Sequence, residues 1–141
     1  MLSEYLTSFI SNLNVIVRKV SSDNNLSLSQ YFTLSNISSS GILMGELSKL
    51  VGVDKSTLTR NIRILLNRDL VLKNQSTSDK REYIIMLTNY GEKLIDKLDS
   101  GMEKELSIII EDIDSISKQT LSNIIESINW KGMSVIKPDG A

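Results

Sequence analysis

The sequence predicts a mainly α-helical protein carrying one small β-hairpin. Three observations lead there. Apolar residues recur three and four apart along most of the chain, the period of a helix with one buried face. Two of these helical patterns are separated by a tight break at Gly52-Val53-Asp54. Directly afterwards, two short β-type runs, 70–75 and 82–87, flank the polar segment Ser76-Thr77-Ser78-Asp79-Lys80-Arg81.

Residues 2–20 read as a helix. Leu2, Leu6, Phe9, Leu13, Ile16 and Val20 form its stripe, widened by Ile10 and Val17. So wide an apolar face needs a partner surface, either the rest of its own domain or a second copy of the chain. Ser21-Ser22-Asp23-Asn24-Asn25 then breaks the pattern as a polar loop. Ser27-Leu28-Ser29-Gln30 has the spacing of a capping box and starts a helix that carries Leu28, Tyr31, Phe32, Leu34 and Ile37 to about Ser38. Ile42-Leu43 is a candidate for a very short strand before a helix from Met44 to Val51. Gly52 suits the left-handed conformation just past a helix end, and Asp54 can accept from the first free amides of the next helix. This is the sequence form of a helix-turn-helix, whose second helix is shaped for the DNA major groove.

That second helix has two chemically different faces. At about 100° per residue, Leu58, Ile62 and Leu65 line one side, with Leu66 at its edge. Ser56, Arg60, Arg63 and Asn67 fall roughly opposite, flanked by Thr59. Hydroxyl, guanidinium and amide groups bond phosphate oxygens and base edges. The alternative is a solvated helix face.

After the helix, 70–75 and 82–87 pair as a hairpin with an exposed, basic tip. A hairpin in this place is a wing, and Lys80 and Arg81 at its tip can reach a phosphate or the minor groove. Thr88 caps a long helix from Asn89 to about Ile113, with Leu94, Leu98, Met102, Leu106, Ile109 and Ile113 as its seam. Gly101 lies mid-helix, permitting a bend or close packing. Ser117 is expected to cap a last helix bearing Leu121, Ile124, Ile125 and Ile128 and running to Trp130. Residues 131–141, with Gly132, Pro138 and Gly140, read as a flexible tail.

Charge is segregated. The chain carries a net −1, but residues 42–90 hold eight Lys/Arg against five acids, a net +3, while 91–130 hold four Lys against nine acids, a net −5. A protein that touches DNA with one part only would show this. The chain contains no cysteine, which excludes disulfides, thiolate metal sites and thiol redox sensing. It contains no histidine, the commonest metal ligand and the usual neutral-pH general base. No catalytic constellation is recognisable, and no cofactor or metal is expected. Glu103, Glu105, Glu111 and Asp112 read as a solvated face. No apolar run is long enough to span a bilayer, and the start Met1-Leu2-Ser3-Glu4 lacks signal-peptide features, so a cytoplasmic protein without membrane contact is expected.

The order helix, helix, helix-turn-helix, wing, long helix, final helix resembles the multiple-antibiotic-resistance regulator (MarR) family of transcription factors. The most specific residues are Asp79-Lys80-Arg81 and Leu87-Thr88-Asn89-Tyr90-Gly91, following Gly52-Val53-Asp54-Lys55-Ser56-Thr57-Leu58-Thr59-Arg60. Three positions depart from the family pattern. Asp69 stands where Gly is frequent, the wing lacks the frequent Pro, and Asn74 and Gln75 replace basic residues. The resemblance implies a homodimer with a dimerisation helix at 1–25, a winged helix-turn-helix at 26–90 and helices completing the dimerisation region at 91–130. It would bind double-stranded DNA at a pseudo-palindromic operator, mainly to repress.

Lys55, Ser56, Thr57, Thr59, Arg60, Arg63, Asn67, Lys80 and Arg81 would contact DNA, with Asp79 orienting the wing tip. The resemblance also implies release by a small, often phenolic, effector entering a cleft between the dimer helices and the winged region. Val17, Tyr31 and Phe32 lie on the corresponding helices, with ordinary core packing as the alternative. The competing reading of the whole chain is a winged-helix protein-interaction module that does not bind DNA.

Overall fold

The computed structural model describes the backbone of residues 1–136 and the side chains of residues 1–130. In order, the elements are α1 (Leu2–Asp23), α2 (Leu28–Ser35), β1 (Ile42–Leu43), α3 (Met44–Val51), α4 (Lys55–Asn67), β2 (Val71–Gln75), β3 (Tyr83–Leu87), α5 (Asn89–Ile109) and α6 (Ser115–Ile136). Residues 1–103 and 104–141 form two compact units.

The first unit is built around one core. Leu34 and Ile37 enter it from α2 and just beyond, Leu47 from α3, and Leu58, Ile62 and Leu65 from α4. The hairpin side adds Leu70, Val71 and Ile85, and Val20 and Leu98 come from α1 and α5. The two-residue β1 joins the hairpin, giving an antiparallel sheet of order β1-β3-β2. Ile85 is its centre, paired with Ile42 on one side and Lys73 on the other.

Local signals set most of the helix starts in this unit. The Ser27 hydroxyl accepts from the Gln30 amide at 3.1 Å while the Gln30 side chain accepts from the Ser27 amide at 3.0 Å, completing the capping box. The Thr88 hydroxyl accepts from the Gly91 amide at 2.9 Å and donates to the Asp69 carbonyl at 2.6 Å, so the cap of α5 is also tied to the end of α4. Asp69 sits in the left-handed region at φ 55°, which Asp tolerates better than most residues. Gly91 has a different reason to be glycine, since a Cβ there would lie 2.0 Å from the Leu70 carbonyl oxygen. Gly101 serves close packing, because its missing Cβ leaves room for Val20 at 3.2 Å.

Element ends differ in places from the sequence expectation. The first helix runs through the serines to Asp23. Ser21 is buried with its hydroxyl donating to the Val17 carbonyl, so its polarity is satisfied inside the helix. Only the C-terminal part of the α1 stripe, Val17 and Val20, is buried. Leu2, Leu6, Phe9 and Ile10 are exposed, Leu2 by 74%.

In the second unit, α5 ends at Ile109, four residues earlier than the periodicity suggests. The cap of α6 is Asp114 rather than Ser117. Its carboxylate accepts from the Ser117 amide at 3.0 Å and hydroxyl at 2.6 Å. Ile116, Ile124, Ile128 and Trp130 lie exposed along α6. The helix continues past Trp130 to Ile136, so the first part of the expected tail is helical, and the tail from residue 137 lies outside the described residues. No helix among the described residues is long and apolar enough to cross a membrane.

Gly91→Ala is expected to destabilise the fold by about 1–3 kcal/mol, because the new methyl meets backbone that cannot step aside. Gly45→Ala is the control: its Cβ would meet nothing within 4 Å, and the lower chain entropy favours the helix by about 0.5–1 kcal/mol. Urea denaturation of the three proteins measures both.

Candidate nucleic-acid interface

Gly52 ends α3 in the left-handed conformation at φ 68°, and the chain turns directly into α4. The Asp54 carboxylate caps that helix, accepting from the Thr57 amide at 2.7 Å and from the Ser56 and Thr57 hydroxyls at 2.6 and 3.0 Å. The Ser56 hydroxyl, with the Thr57 bonds, holds the carboxyl well below its usual range, at about 2. The cap is therefore a full negative charge at neutral pH, placed where the helix dipole favours one.

With Leu58, Ile62 and Leu65 buried, the opposite face of α4 turns outward. Lys55, Ser56, Thr59, Arg60, Arg63 and Asn67 are exposed and Thr57 is half-buried. Lys55, Ser56, Thr59, Arg60 and Arg63 together line one shallow concave surface. The hydroxyls are already engaged: Ser56 and Thr57 donate to Asp54, and Thr59 donates to the Lys55 carbonyl at 2.8 Å. Their oxygens remain acceptors, whereas a phosphate needs donors. The cationic donors on this face are Lys55, Arg60 and Arg63, none of which forms an ion pair among the described residues.

The wing tip is an ordered turn. Ser76 is buried, its amide donating to the Glu82 carbonyl at 2.9 Å and its hydroxyl accepting from the Ser78 and Asp79 amides. Asp79 accepts from the Arg81 amide at 2.9 Å and from Nε and Nη2 of its guanidinium at 3.3 and 3.4 Å. These bonds lower the Asp79 pKa. They also hold the Arg81 side chain, which is 90% exposed. Lys80 is exposed beside it, and its carbonyl accepts from the Gln75 side chain. Behind the tip, the Lys73 ammonium lies 4.3 Å from the centre of the Tyr83 ring.

Two residues of this region escaped the sequence reading. Asn61 is buried in the middle of the apolar stripe of α4, and its amide donates to the Ser29 hydroxyl at 2.7 Å and the Thr33 hydroxyl at 3.1 Å. A polar residue inside the stripe was the available signal. Arg68, at the end of α4, donates to the Asn25 and Asn24 carbonyls at 2.7 and 3.1 Å. Backbone acceptors brought in from a distant loop leave no mark in the sequence.

The candidate effector residues are placed as follows. Val17 is buried on α1. Tyr31 is half-buried, with burial pushing its phenol pKa up. Phe32 stands edge-on to Tyr31 at 5.4 Å and is itself exposed.

A helix-turn-helix with an unpaired basic outer face, followed by a hairpin with an ordered basic tip, defines a winged helix-turn-helix protein. Residues 26–83 match the sequence profile of the MarR family. The chain is 26% identical over 134 residues to the HTH-type transcriptional regulator TcaR of Staphylococcus aureus (strain Newman), covering 91% of this chain and 89% of that one. A MarR transcriptional regulator from Methanosarcina mazei Go1 shares the fold with a TM-score of 0.77 at 22% identity, over 94% of this chain and 99% of that one. The fold is also that of NadR, solved in complex with 4-hydroxyphenylacetate, with a TM-score of 0.74 at 17% identity over 91% and 92% of the two chains. The chain is thus similar to MarR-family transcription regulators, by sequence profile over residues 26–83 and by fold over nearly its whole length.

The cap of α4 sets a pH dependence. Because folding depresses the Asp54 pKa from 3.8 to about 2, the stabilisation is present above the ordinary value and is lost as pH falls through the lower one. Asp54→Ala is expected to lower the melting temperature at pH 7, with the gap to wild type closing between pH 3.8 and about 2. Thermal unfolding followed by circular dichroism across that range measures it. A gap independent of pH would show that the charged cap is not the source.

Proposed function

We propose that this protein is a transcription regulator of the MarR family, a homodimeric, sequence-specific DNA-binding repressor that acts in the cytoplasm on a pseudo-palindromic operator. The observation that carries the reading is the unpaired donor set Lys55, Arg60 and Arg63 on the outer face of α4, in the same unit as the ordered Lys80-Arg81 tip. In this reading α4 enters the major groove. Arg60 and Arg63 bond base edges or phosphates, Lys55 and Asn67 bond the backbone at the two ends of the helix, and the wing tip takes the flanking minor groove. Ser56, Thr57 and Thr59 join as acceptors, or as donors once their hydroxyls swing out of the cap. Asp79 keeps Arg81 extended.

The exposed apolar face of α1 and that of α6 support the dimer, since each is too large to leave in water and a second copy supplies a matching surface. An aromatic acid is the proposed releasing ligand, with Val17, Tyr31 and Phe32 as its contacts. The complex of the similarly folded NadR with 4-hydroxyphenylacetate supports that ligand class.

Fluorescence anisotropy of a labelled random duplex, titrated at several salt concentrations, tests DNA binding. Wild-type affinity is expected to fall steeply with salt. Arg60→Ala and Arg81→Ala are each expected to flatten the log–log slope by about 1 if they hold phosphates. If instead Arg60 reads a guanine, the loss of about 1–3 kcal/mol falls at one position of a selected operator. A wild-type protein with no salt-dependent binding would favour the protein-interaction module.

A further inference from the structure

We propose that Asn61 and Arg68, neither of which faces the DNA side of α4, set the rotation and axial position of the recognition helix and thereby its sequence discrimination. The inference rests on the DNA-binding reading above. Apolar packing along Leu58, Ile62 and Leu65 holds α4 in the core but is non-directional, so it resists small rotations weakly. Hydrogen bonds are directional and fail steeply when bent or stretched.

The two polar ties are well placed to act as pegs. Asn61 and Arg68 are seven residues apart, which on a helix is nearly the same face, about 10 Å apart along the axis. Both reach one continuous segment, residues 24–33. Arg68 donates to the adjacent Asn24 and Asn25 carbonyls, and Asn61 to the Ser29 and Thr33 hydroxyls of α2. The acceptors are themselves anchored: the Thr33 hydroxyl donates to the Ser29 carbonyl at 2.8 Å, and Asn25 adopts φ 57° at the turn between α1 and α2.

The magnitudes make such pegs matter. A rotation of about 20° moves a group about 6 Å from the helix axis by about 2 Å. A bidentate contact to a base edge tolerates a few tenths of an ångström. Phosphate contacts through long, flexible cations tolerate far more. Loosening the pegs therefore removes base discrimination while leaving the electrostatic contribution intact.

The test uses the duplex that the wild-type protein selects from a random pool, together with a scrambled duplex of the same length. Arg68→Lys keeps the charge but loses the two-pronged geometry. Asn61→Ala removes the other tie. For each variant the readouts are affinity for both duplexes, the salt slope and the melting temperature. The expected result is that the selected-to-scrambled affinity ratio falls by about tenfold, the value of one bidentate base contact. Scrambled-duplex affinity and salt slope stay at wild-type values.

A merely structural role would lower the melting temperature without moving that ratio. If Asn61→Ala does not fold, Arg68→Lys alone decides. A folded variant whose ratio equals the wild-type ratio overturns the proposal while leaving the DNA-binding reading standing. Failure of the wild-type protein to enrich any duplex overturns both.

Discussion

The buried side of α4 is the constraint on which the rest of the structure depends. Leu58, Ile62 and Leu65 are essentially inaccessible to water, and a helix that buries one stripe so completely has only its opposite stripe to offer. Lys55, Arg60 and Arg63 are thus displayed by what lies behind them. Fully burying a leucine or isoleucine side chain contributes about 1.5–3 kcal/mol, so three of them outweigh any gain from turning the arginines elsewhere. The polar ties from Asn61 and Arg68 add little to that energy. What they add is direction.

The same logic links the helix to the wing. The Thr88 hydroxyl bonds the Asp69 carbonyl and the Thr88 amide bonds the Leu70 carbonyl at 3.1 Å. Gly91 then lets the first turn of α5 lie directly on Leu70. The C-terminal end of α4, the root of the hairpin and the start of α5 are thereby one junction. Displacing the first turn of α5 moves the root of the wing with it, and Arg68 extends the junction to the turn after α1. The winged unit is consequently tied together through its backbone at this junction, while the N-terminal stretch of α1 stays exposed.

Much of this was legible because it is local. Gly52, Asp54, Ser27 and Thr88 each act within a few residues, and each sits where its backbone chemistry requires. Helical periodicity also identified the stripe of α4, and the short β-type runs either side of a polar turn identified the two hairpin strands. The misreadings share a physical cause, namely that short polar side chains have more than one way to be satisfied. The serines after Val20 looked like a loop, yet Ser21 returns its hydroxyl to the preceding turn. Ser117 looked like a cap, yet it is the donor to the cap at Asp114. Residues 131–141, with Gly132 among them, looked like a tail, but one glycine costs a helix only about 1 kcal/mol, and α6 runs on to Ile136. The partners of Asn61 and Arg68 were not legible because they lie 28 to 44 residues away. Asn74 and Gln75, which depart from the family pattern, have no explanation in the structure beyond the Asn74 amide contact to the Met86 sulfur and the Gln75 bond to the Lys80 carbonyl.

Hydroxyl-radical footprinting of the protein on a selected duplex tests the central claim most directly, because it maps backbone protection without regard to base identity. If two copies of α4 and its wing meet one duplex, protection should fall in two symmetry-related patches centred about 34–36 Å apart. Each patch should combine a major-groove segment with a flanking minor-groove segment. A single unpaired patch, or uniform protection with no groove pattern, would contradict it.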